Sequence, residues 1–222
     1  MLLFGGGVVA NVVLKDTKGH GSGFMLINFG WAMAVFVGVS VASASHAHLN
    51  PAVTVAMAML GKINTSDIPA YLCGQFIGSF FGAVVMWLFY RLHFDATADG
   101  ETKLAVFSTN PAIRNTFNNL ISEIIATFAL ISAILYLPQT TTDLGHLNPL
   151  PVSLIVLGVG MCLGGTTGYA INPARDLAPR LAHYLLPIKD KGRSDWAYAW
   201  IPVVGPIVGA LLAVALFNVI LN

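Results

Sequence analysis

Apolar stretches of membrane-spanning length alternate with short polar loops along most of this chain. Full spans are predicted at 23–44, 68–92, 117–137, 152–167 and 196–221. A helix of roughly 20 apolar residues crosses the ~30 Å hydrocarbon core of a bilayer, and these segments lie near that length. A first apolar segment, residues 1–14, is shorter and is interpreted as a span that is cut off at its N-terminus. The pattern therefore predicts an all-α membrane protein with six transmembrane helices.

Two further apolar segments contain a proline and an unpaired polar side chain, which are both unfavourable inside a membrane helix. Each has the sequence Asn-Pro-Ala, and the six residues are Asn50, Pro51, Ala52, Asn172, Pro173 and Ala174. Asparagine caps the free N–H groups at a helix start, and proline in the first turn lacks only a donor that the helix could not use. We therefore predict half-helices at 50–60 and 172–185 that begin inside the bilayer. Repeated interrupted segments indicate a permeation or binding site.

The order of these elements is the same in both halves of the chain. Each half has two spans, an Asn-Pro-Ala half-helix and a third span with small residues at four-residue spacing. Because three spans are an odd number, the second half must enter the membrane in the opposite sense. The sequence thus predicts a single channel domain, 1–222, in which inverted repeats 1–92 and 116–222 are joined by a linker, 93–115. The two re-entrant half-helices then meet N-terminus to N-terminus near the midplane.

Composition excludes several classes of function. Hydrophobic residues make up 56% of the 222 positions, charged residues make up 9%, and the formal net charge of +1 offers no basic surface for nucleic acid. Cys73 and Cys162 lie in apolar runs and are interpreted as packing residues rather than as a disulfide or a metal site. No signal peptide is evident. We expect no cofactor, no metal and no nucleic-acid partner.

Two facing helix N-termini place two positive partial charges and two asparagine amides at the centre of a pore between the repeats. A cation is repelled there, whereas water and small alcohols can accept hydrogen bonds from the asparagines and donate to free backbone carbonyls. The carbonyls that we expect to line the pore are those of His46, Ala47, His48, Gly168 and Ala170. Arg175 adds a permanent charge that raises the barrier for protons and metal cations. We predict a pore for uncharged polar molecules.

The paired motifs resemble the signature of the aquaporin superfamily, the major intrinsic proteins, over essentially the whole chain. The motif segments are His48-Leu49-Asn50-Pro51-Ala52-Val53-Thr54 and Asn172-Pro173-Ala174-Arg175-Asp176. Asp176, Arg180 and the pair Pro202-Val203 are similar to the glycerol facilitator branch. The resemblance implies a passive channel for glycerol, other small uncharged polyols and water. It also implies a homotetramer that spans the plasma membrane several times.

The resemblance further implies a selectivity filter built from four residues. Three are assigned by position, namely Gly160, Tyr169 and Arg175. The fourth comes from the second span, where Phe29 is favoured and Trp31 is the alternative. An aromatic wall can hold the C–H edge of glycerol while the glycerol hydroxyls reach the arginine and the carbonyls. A bulkier residue at Gly160 would narrow such a pore.

Charged residues near these motifs are interpreted as structural. Glu123 is the one carboxylate in its span, and holding loop N–H groups near the second half-helix is favoured over proton relay. The resemblance implies a partner glutamate in the first span, and residues 1–14 contain none. Asp176 and Arg180 lie one helical turn apart, so they are expected either to pair with each other or to influence selectivity.

The histidines before the first motif allow a second interpretation. His46 and His48 form a His-x-His pair, but no third ligand lies nearby in the sequence, so a metal site is not favoured. His46 also stands where the resemblance implies glycine, which suggests an altered loop or a response to pH.

Three rival functions remain open at this point. The first is a water-selective channel or a channel for a broader set of solutes, such as lactic acid, urea, peroxide or dihydroxyacetone. The second is an ion-coupled transporter, which needs a titratable group beside the broken helices, and Glu123 is the one candidate. The third, an intramembrane enzyme, lacks a nucleophile elbow and a His-Glu-x-x-His helix. The expected partners are therefore small uncharged solutes and the lipid bilayer.

Overall fold

The computed structural model describes residues 1–137 and 144–221, and regular structure within these ranges is helical. The α-helices in chain order are α1 Leu2–Val13, α2 Phe24–Val41, α3 Pro51–Met59, α4 Ile68–Phe89, α5 Arg91–Ala96, α6 Gly100–Phe107, α7 Thr116–Tyr136, α8 Leu150–Leu163, α9 Pro173–Leu185 and α10 Ile201–Leu221. Short 3-10 turns cover Ser43–Ser45, Thr65–Asp67 and Gly145–Leu147. The all-α prediction is confirmed.

Helices of spanning length occur at five of the six predicted places. Among the described residues these are Phe24–Val41, Thr65–Phe89, Thr116–Tyr136, Gly145–Leu163 and Ile201–Ile220, counting the 3-10 turns that precede two of them. α1 is apolar but has 12 residues, which at about 1.5 Å per residue reach roughly 18 Å. α8 ends at Leu163, four residues before the predicted limit, because the chain turns at Gly164 toward the second Asn-Pro-Ala motif.

The half-helices form where the sequence predicts them. Asn50 and Asn172 are the N-caps of α3 and α9, with extended backbone at φ −154° and −155°. The side chain of each asparagine accepts a hydrogen bond from the backbone two residues ahead, at Ala52 and Ala174. Proline occupies the first turn of each helix, where an N–H group would have no acceptor within the helix, so the missing N–H costs no hydrogen bond.

Helix packing is the same in the two halves. α1 packs against α2 and α4, and α7 packs against α8 and α10. Each half-helix packs against the last span of the other half, so that α3 contacts α10 and α9 contacts α4. Because each half-helix also contacts the last span of its own half, the half-helices join the two halves, in agreement with the predicted inverted repeat. The repeat limits 1–92 and 116–222 remain a prediction.

The small residues at four-residue spacing form one stripe on α4, Gly74, Gly78 and Gly82, and one on α10, Gly205, Gly209 and Ala213, and the two stripes differ in their surroundings. A Cβ at Gly205 would lie 2.7 Å from Cβ of Glu123, and one at Gly209 would lie 2.4 Å from the carbonyl of Ile124, so these glycines let α10 approach α7 closely. A Cβ at Gly74 or Gly78 would meet no described atom within 4 Å. The stripe on α4 therefore faces outward along most of its length.

The stretch predicted as a linker, 93–115, contains more structure than its polar sequence suggested. It contributes to α5 and contains α6, which Asp99 caps by accepting a 2.8 Å hydrogen bond from the Thr102 backbone. α6 packs against α1 and α9. Its Lys103 is fully buried and donates to the backbone carbonyl of Lys189, which ties this helix to the chain that follows α9. The linker thus covers one end of the helix bundle.

Candidate functional site

The two Asn-Pro-Ala motifs are joined by a reciprocal pair of hydrogen bonds. Nδ2 of Asn50 donates to the carbonyl of Ile171 at 2.8 Å, and Nδ2 of Asn172 donates to the carbonyl of Leu49 at 2.9 Å. Each amide group carries two N–H donors, so one donor on each asparagine remains for the space beside the motifs. The half-helices therefore meet N-terminus to N-terminus, as predicted.

The segments before the two motifs have the same unusual backbone. Positive φ values occur four, three and one residues before each asparagine: at His46, Ala47 and Leu49 in the first segment, and at Gly168, Tyr169 and Ile171 in the second. For residues other than glycine this left-handed region costs of order 1 kcal/mol each, so surrounding contacts must hold the segments in place. The conformation turns successive backbone groups away from helical pairing and toward other partners.

The second segment is held by a buried carboxylate. Oε1 of Glu123 accepts hydrogen bonds from the backbone N–H of Ala170 at 3.0 Å and from Oγ1 of Thr167 at 2.6 Å, and Oε2 accepts from the N–H of Ile171 at 2.9 Å. Glu123 is fully buried. The contact expected for Glu123 is therefore present, and Thr167 is a partner that the sequence did not suggest.

Neutral and aromatic groups surround the first segment instead. The ring of His48 stacks on Tyr71, with ring centroids 4.5 Å apart, and Nδ1 of His48 lies 3.2 Å from Oγ1 of Thr54. Oγ1 of Thr54 also accepts a hydrogen bond from Gln75, and the hydroxyl of Tyr71 donates to the carbonyl of Ser45. His48 is thus engaged in packing, and no group of three possible metal ligands occurs among the described residues.

A cavity of about 480 Å³ extends along these segments. Polar groups from both motifs line it, together with aliphatic side chains of α2, α7 and α8. The motif residues in its wall are His46, Ala47, His48, Leu49, Asn50, Tyr169, Ala170, Ile171, Asn172 and Arg175. Of the five residues whose carbonyls were expected to line a pore, Gly168 is not in this wall. This mixed lining suits a small solute that carries both hydroxyls and C–H groups.

Arg175 lies beside Trp31, not Phe29. The guanidinium carbon of Arg175 is 4.1 Å from the ring centroid of Trp31, and both residues line the cavity. Trp31 is 5% exposed, whereas Phe29 is 53% exposed and is absent from the cavity wall. The preference for Phe29 is therefore wrong, because a shift of two residues on α2 turns the side chain through about 200°. Trp31, the alternative, is the aromatic residue that meets Arg175.

Tyr169 packs over Gly160 of α8 and over Gly164, the residue that follows this helix. A Cβ at Gly160 would lie 2.7 Å from Cζ of Tyr169, and one at Gly164 would lie 2.4 Å from Cδ1 of the same ring. The rings of Phe24 and Tyr169 form a T-shaped pair with centroids 6.3 Å apart. Gly160 is not part of the cavity wall itself, and it provides the room in which the aromatic ring lies.

Comparisons with known proteins agree with this geometry. The family model described as "Major intrinsic protein" matches residues 1–217. The chain belongs to the major intrinsic protein family. It is 48% identical to a probable glycerol uptake facilitator protein of Thermotoga maritima, over 98% of this chain and 93% of the relative. It is 47% identical to the glycerol uptake facilitator protein of Streptococcus pneumoniae serotype 4, with the same coverage.

A solved structure supports the same assignment. The X-ray structure of the aquaglyceroporin from Plasmodium falciparum aligns with a TM-score of 0.83 and 28% sequence identity, and it covers 98% of this chain and 89% of that protein. As a major intrinsic protein with several apolar spans, this chain is a multi-pass integral membrane protein.

In this major intrinsic protein a buried ion pair supports the helix that carries Arg175. Asp176 and Arg180 are both fully buried on α9, with a terminal guanidinium nitrogen of Arg180 2.8 Å from Oδ1 of Asp176. Oδ2 of Asp176 accepts from both the N–H and the hydroxyl of Thr109 at 2.7 Å. The guanidinium also donates to the carbonyls of Thr109, Ser194 and Asp195. Of the two roles expected for Asp176 and Arg180, pairing with each other or influencing selectivity, the structure shows the pairing.

The sequence did not reveal several members of this network. Thr109 and Ser194 are small polar residues in loops, and nothing in their local pattern distinguishes them from solvent-exposed threonines and serines. Burial is the feature that separates them, and burial depends on packing against α9. The same holds for Asn28 of α2, a buried amide beside Gly160.

Proposed function

We propose that this protein is a passive channel that conducts glycerol, other small uncharged polyols and water down their concentration gradients. The relatives named as glycerol uptake facilitators and the fold shared with an aquaglyceroporin support this proposal. The observation that carries it is the mixed lining of the cavity. Asn50, Asn172 and the backbone segments before them bring polar groups to the wall, and valine and isoleucine side chains bring apolar surface. A polyol has the same combination of hydroxyls and C–H groups.

Cation exclusion follows from the charges around the cavity. Two helix N-termini converge at the motifs, and Arg175 adds a full positive charge. Among the described residues of the wall, the charged side chains are Lys62 and Arg175, and no carboxylate is present to offset them. A monovalent cation or a hydrated proton therefore meets repulsion without compensation.

The same charge distribution argues against ion-coupled transport. Coupling needs a titratable or cation-binding group that faces the substrate pathway. Glu123, the one candidate from the sequence, is fully buried and binds Ala170, Ile171 and Thr167 with its two oxygens. The hydrogen-bonding capacity of its carboxylate is therefore used in holding the loop before the second motif.

We assign the filter to Trp31, Tyr169, Arg175 and the space beside Gly160. Arg175 lines the cavity, and its guanidinium group can donate hydrogen bonds to a passing hydroxyl. Trp31 offers an apolar ring for the carbon chain of a polyol. The assembly is a homotetramer in this proposal, by analogy with the family, and native mass spectrometry in detergent tests the assembly.

The proposed function is tested with purified protein in proteoliposomes. Stopped-flow light scattering should show glycerol entry at least tenfold faster than in empty liposomes, unchanged by a protonophore. Glycerol entry at the rate of empty liposomes contradicts the proposal. Entry that stops with the protonophore indicates a coupled transporter instead.

A further inference from the structure

A hollow on the protein surface lies between the end of α9 and the start of α10, apart from the cavity described above. Its volume is about 490 Å³, and its wall consists of Tyr184 near the end of α9 and the segment 191–197 of the chain that follows. The spanning helix α10 begins at Ile201, shortly after this segment. The hollow therefore lies where a span meets the bilayer surface, which is the level of the lipid headgroups.

Two basic side chains, Lys191 and Arg193, line this hollow. Nζ of Lys191 donates at 2.6 Å to the carbonyls of Tyr184 and Leu186, and an ammonium group has a third donor to offer. The side chain of Arg193 is exposed. Because neither residue takes part in the two ion pairs found among the described residues, both positive charges can attract an anion.

The carboxylates of this region do not cancel these charges. Asp195 is the acidic residue in the wall, and its carboxylate is paired with Arg114. Asp190 is exposed and precedes the segment that forms the wall. The hollow therefore presents an excess of positive charge.

Apolar side chains are exposed beside the hollow. Tyr184 is 58% exposed, and its ring forms a T-shaped pair with Trp196 at a centroid distance of 6.0 Å. Leu181 and Leu185, one turn apart on α9, are exposed as well. Tyrosine and tryptophan are typical of the headgroup level of a membrane, where one end of the ring is apolar and the other meets water. This surface thus joins an apolar part that suits acyl chains to a basic part that suits an anion.

We propose that the hollow binds the headgroup of an anionic phospholipid. The guanidinium group of Arg193 can hold the phosphate with two parallel hydrogen bonds, the remaining donor of Lys191 adds another, and the acyl chains lie along Tyr184, Leu185 and Trp196. A zwitterionic lipid carries a cationic group of its own, which these residues repel, so a lipid with a net negative charge binds more tightly. The bound lipid links the end of α9 to the start of α10. This inference goes beyond the proposed function and holds whichever solute permeates.

A free phosphate ion offers the same anion chemistry without the acyl chains. It would leave the exposed tyrosine, tryptophan and leucines uncovered, and an ion held by exposed cations alone is bound weakly. The apolar surroundings of the hollow therefore favour a lipid as the occupant.

Lipid titrations of the full chain in an uncharged detergent test the proposal without any measurement of transport. The protein is titrated with phosphatidylglycerol, with phosphatidylcholine of the same acyl chains, and with inorganic phosphate. Native mass spectrometry measures lipid binding, and circular dichroism during heating measures the midpoint of unfolding. Phosphatidylglycerol should bind about fivefold more tightly than phosphatidylcholine and should raise the midpoint, whereas inorganic phosphate should leave the midpoint unchanged.

Two arginine variants test whether the hollow itself is responsible. Arg193→Gln removes a positive charge from the hollow, and Arg91→Gln removes one from an exposed arginine that lies over the ring of Trp87 instead. Phosphatidylglycerol binding should weaken about threefold to tenfold in the Arg193 variant and should stay unchanged in the Arg91 variant.

Three results would overturn the inference. Equal affinities of the wild-type protein for the two lipids would do so even if the Arg193 variant cannot be purified. A second is an Arg193 variant that loses no more affinity for phosphatidylglycerol than the Arg91 variant, because attraction would then come from the overall charge. The third is a midpoint that inorganic phosphate raises as much as phosphatidylglycerol does, which would identify a soluble anion as the occupant.

Discussion

Asn50 and Asn172, which are 122 positions apart, each donate a hydrogen bond from their side-chain amide to the backbone segment that precedes the other. The bonds, to Ile171 and Leu49, are 2.8 and 2.9 Å long. Each asparagine thus caps its own half-helix and anchors the opposite one. Neither half of the chain can build its part of the cavity wall alone.

Removing one of these amides should weaken both motifs. Asn172→Ala deletes the cap on the N–H groups of Ala174 and Arg175 and leaves the carbonyl of Leu49 without its donor. We expect a loss of about 1–3 kcal/mol in unfolding free energy and at least a tenfold fall in glycerol permeability. Asn118→Ala, an exposed asparagine on α7, is the control. Unchanged stability and permeability in the Asn172 variant would contradict the reciprocal anchoring.

Glu123 should be needed for the shape of the second motif. Glu123→Gln keeps the size of the side chain but replaces one acceptor oxygen by a donor that faces the N–H groups of Ala170 and Ile171. We expect a loss of about 2 kcal/mol, which is roughly 4–8 °C in thermal midpoint for a chain of this length, together with reduced glycerol flux. Tryptophan fluorescence during heating measures the midpoint. Glu101→Gln, exposed on α6, should leave the midpoint unchanged.

The Asp176–Arg180 pair should depend on guanidinium geometry rather than on charge. Arg180→Lys preserves the charge but cannot reach Asp176, Thr109, Ser194 and Asp195 together. We expect a loss of about 2–4 kcal/mol, because buried partners are left without donors.

The matched control is Arg114→Lys, at an ion pair with Asp195 in which the arginine side chain is 54% exposed. That change should cost less than about 1 kcal/mol. Equal losses of stability in the two variants, measured by thermal unfolding, would show that the buried network stabilises the protein no more than the Arg114–Asp195 pair does.

Gly160 should tolerate no side chain. Gly160→Ala places a methyl group 2.7 Å from the Tyr169 ring, so the ring must move within the filter. Glycerol permeability should fall severalfold, and water permeability should change less because water is smaller. Gly158→Ala lies on the same helix, and its Cβ would meet no described atom within 4 Å, so it should conduct normally. Equal glycerol permeability in both variants would argue against this role for Gly160.

Local sequence rules were sufficient for the spans and the half-helices, but not for α5 and α6 or for every side chain of the site. Asn-Pro at a helix start and apolar runs of fixed length predict α3, α9 and the spans, because capping and hydrophobic length are local properties. The choice between Phe29 and Trp31 depends on the rotation of α2 about its axis, which tertiary packing sets. Apart from Asp176 on the same helix, the partners of Arg180 come from two separate loops, at Thr109 and at Ser194 and Asp195, so no pattern along the chain could bring them together.

The most direct test of the account asks whether solute passes through the cavity described here. In a background in which Cys73 and Cys162 are replaced by serine, Val152→Cys introduces a thiol in the cavity wall on α8, and Leu154→Cys introduces one on the exposed face of the same helix. A bulky thiol reagent should block glycerol flux through the Val152 variant and leave the Leu154 variant unaffected. Full glycerol flux after verified labelling of the Val152 variant would contradict the assignment of this cavity as the conducting path.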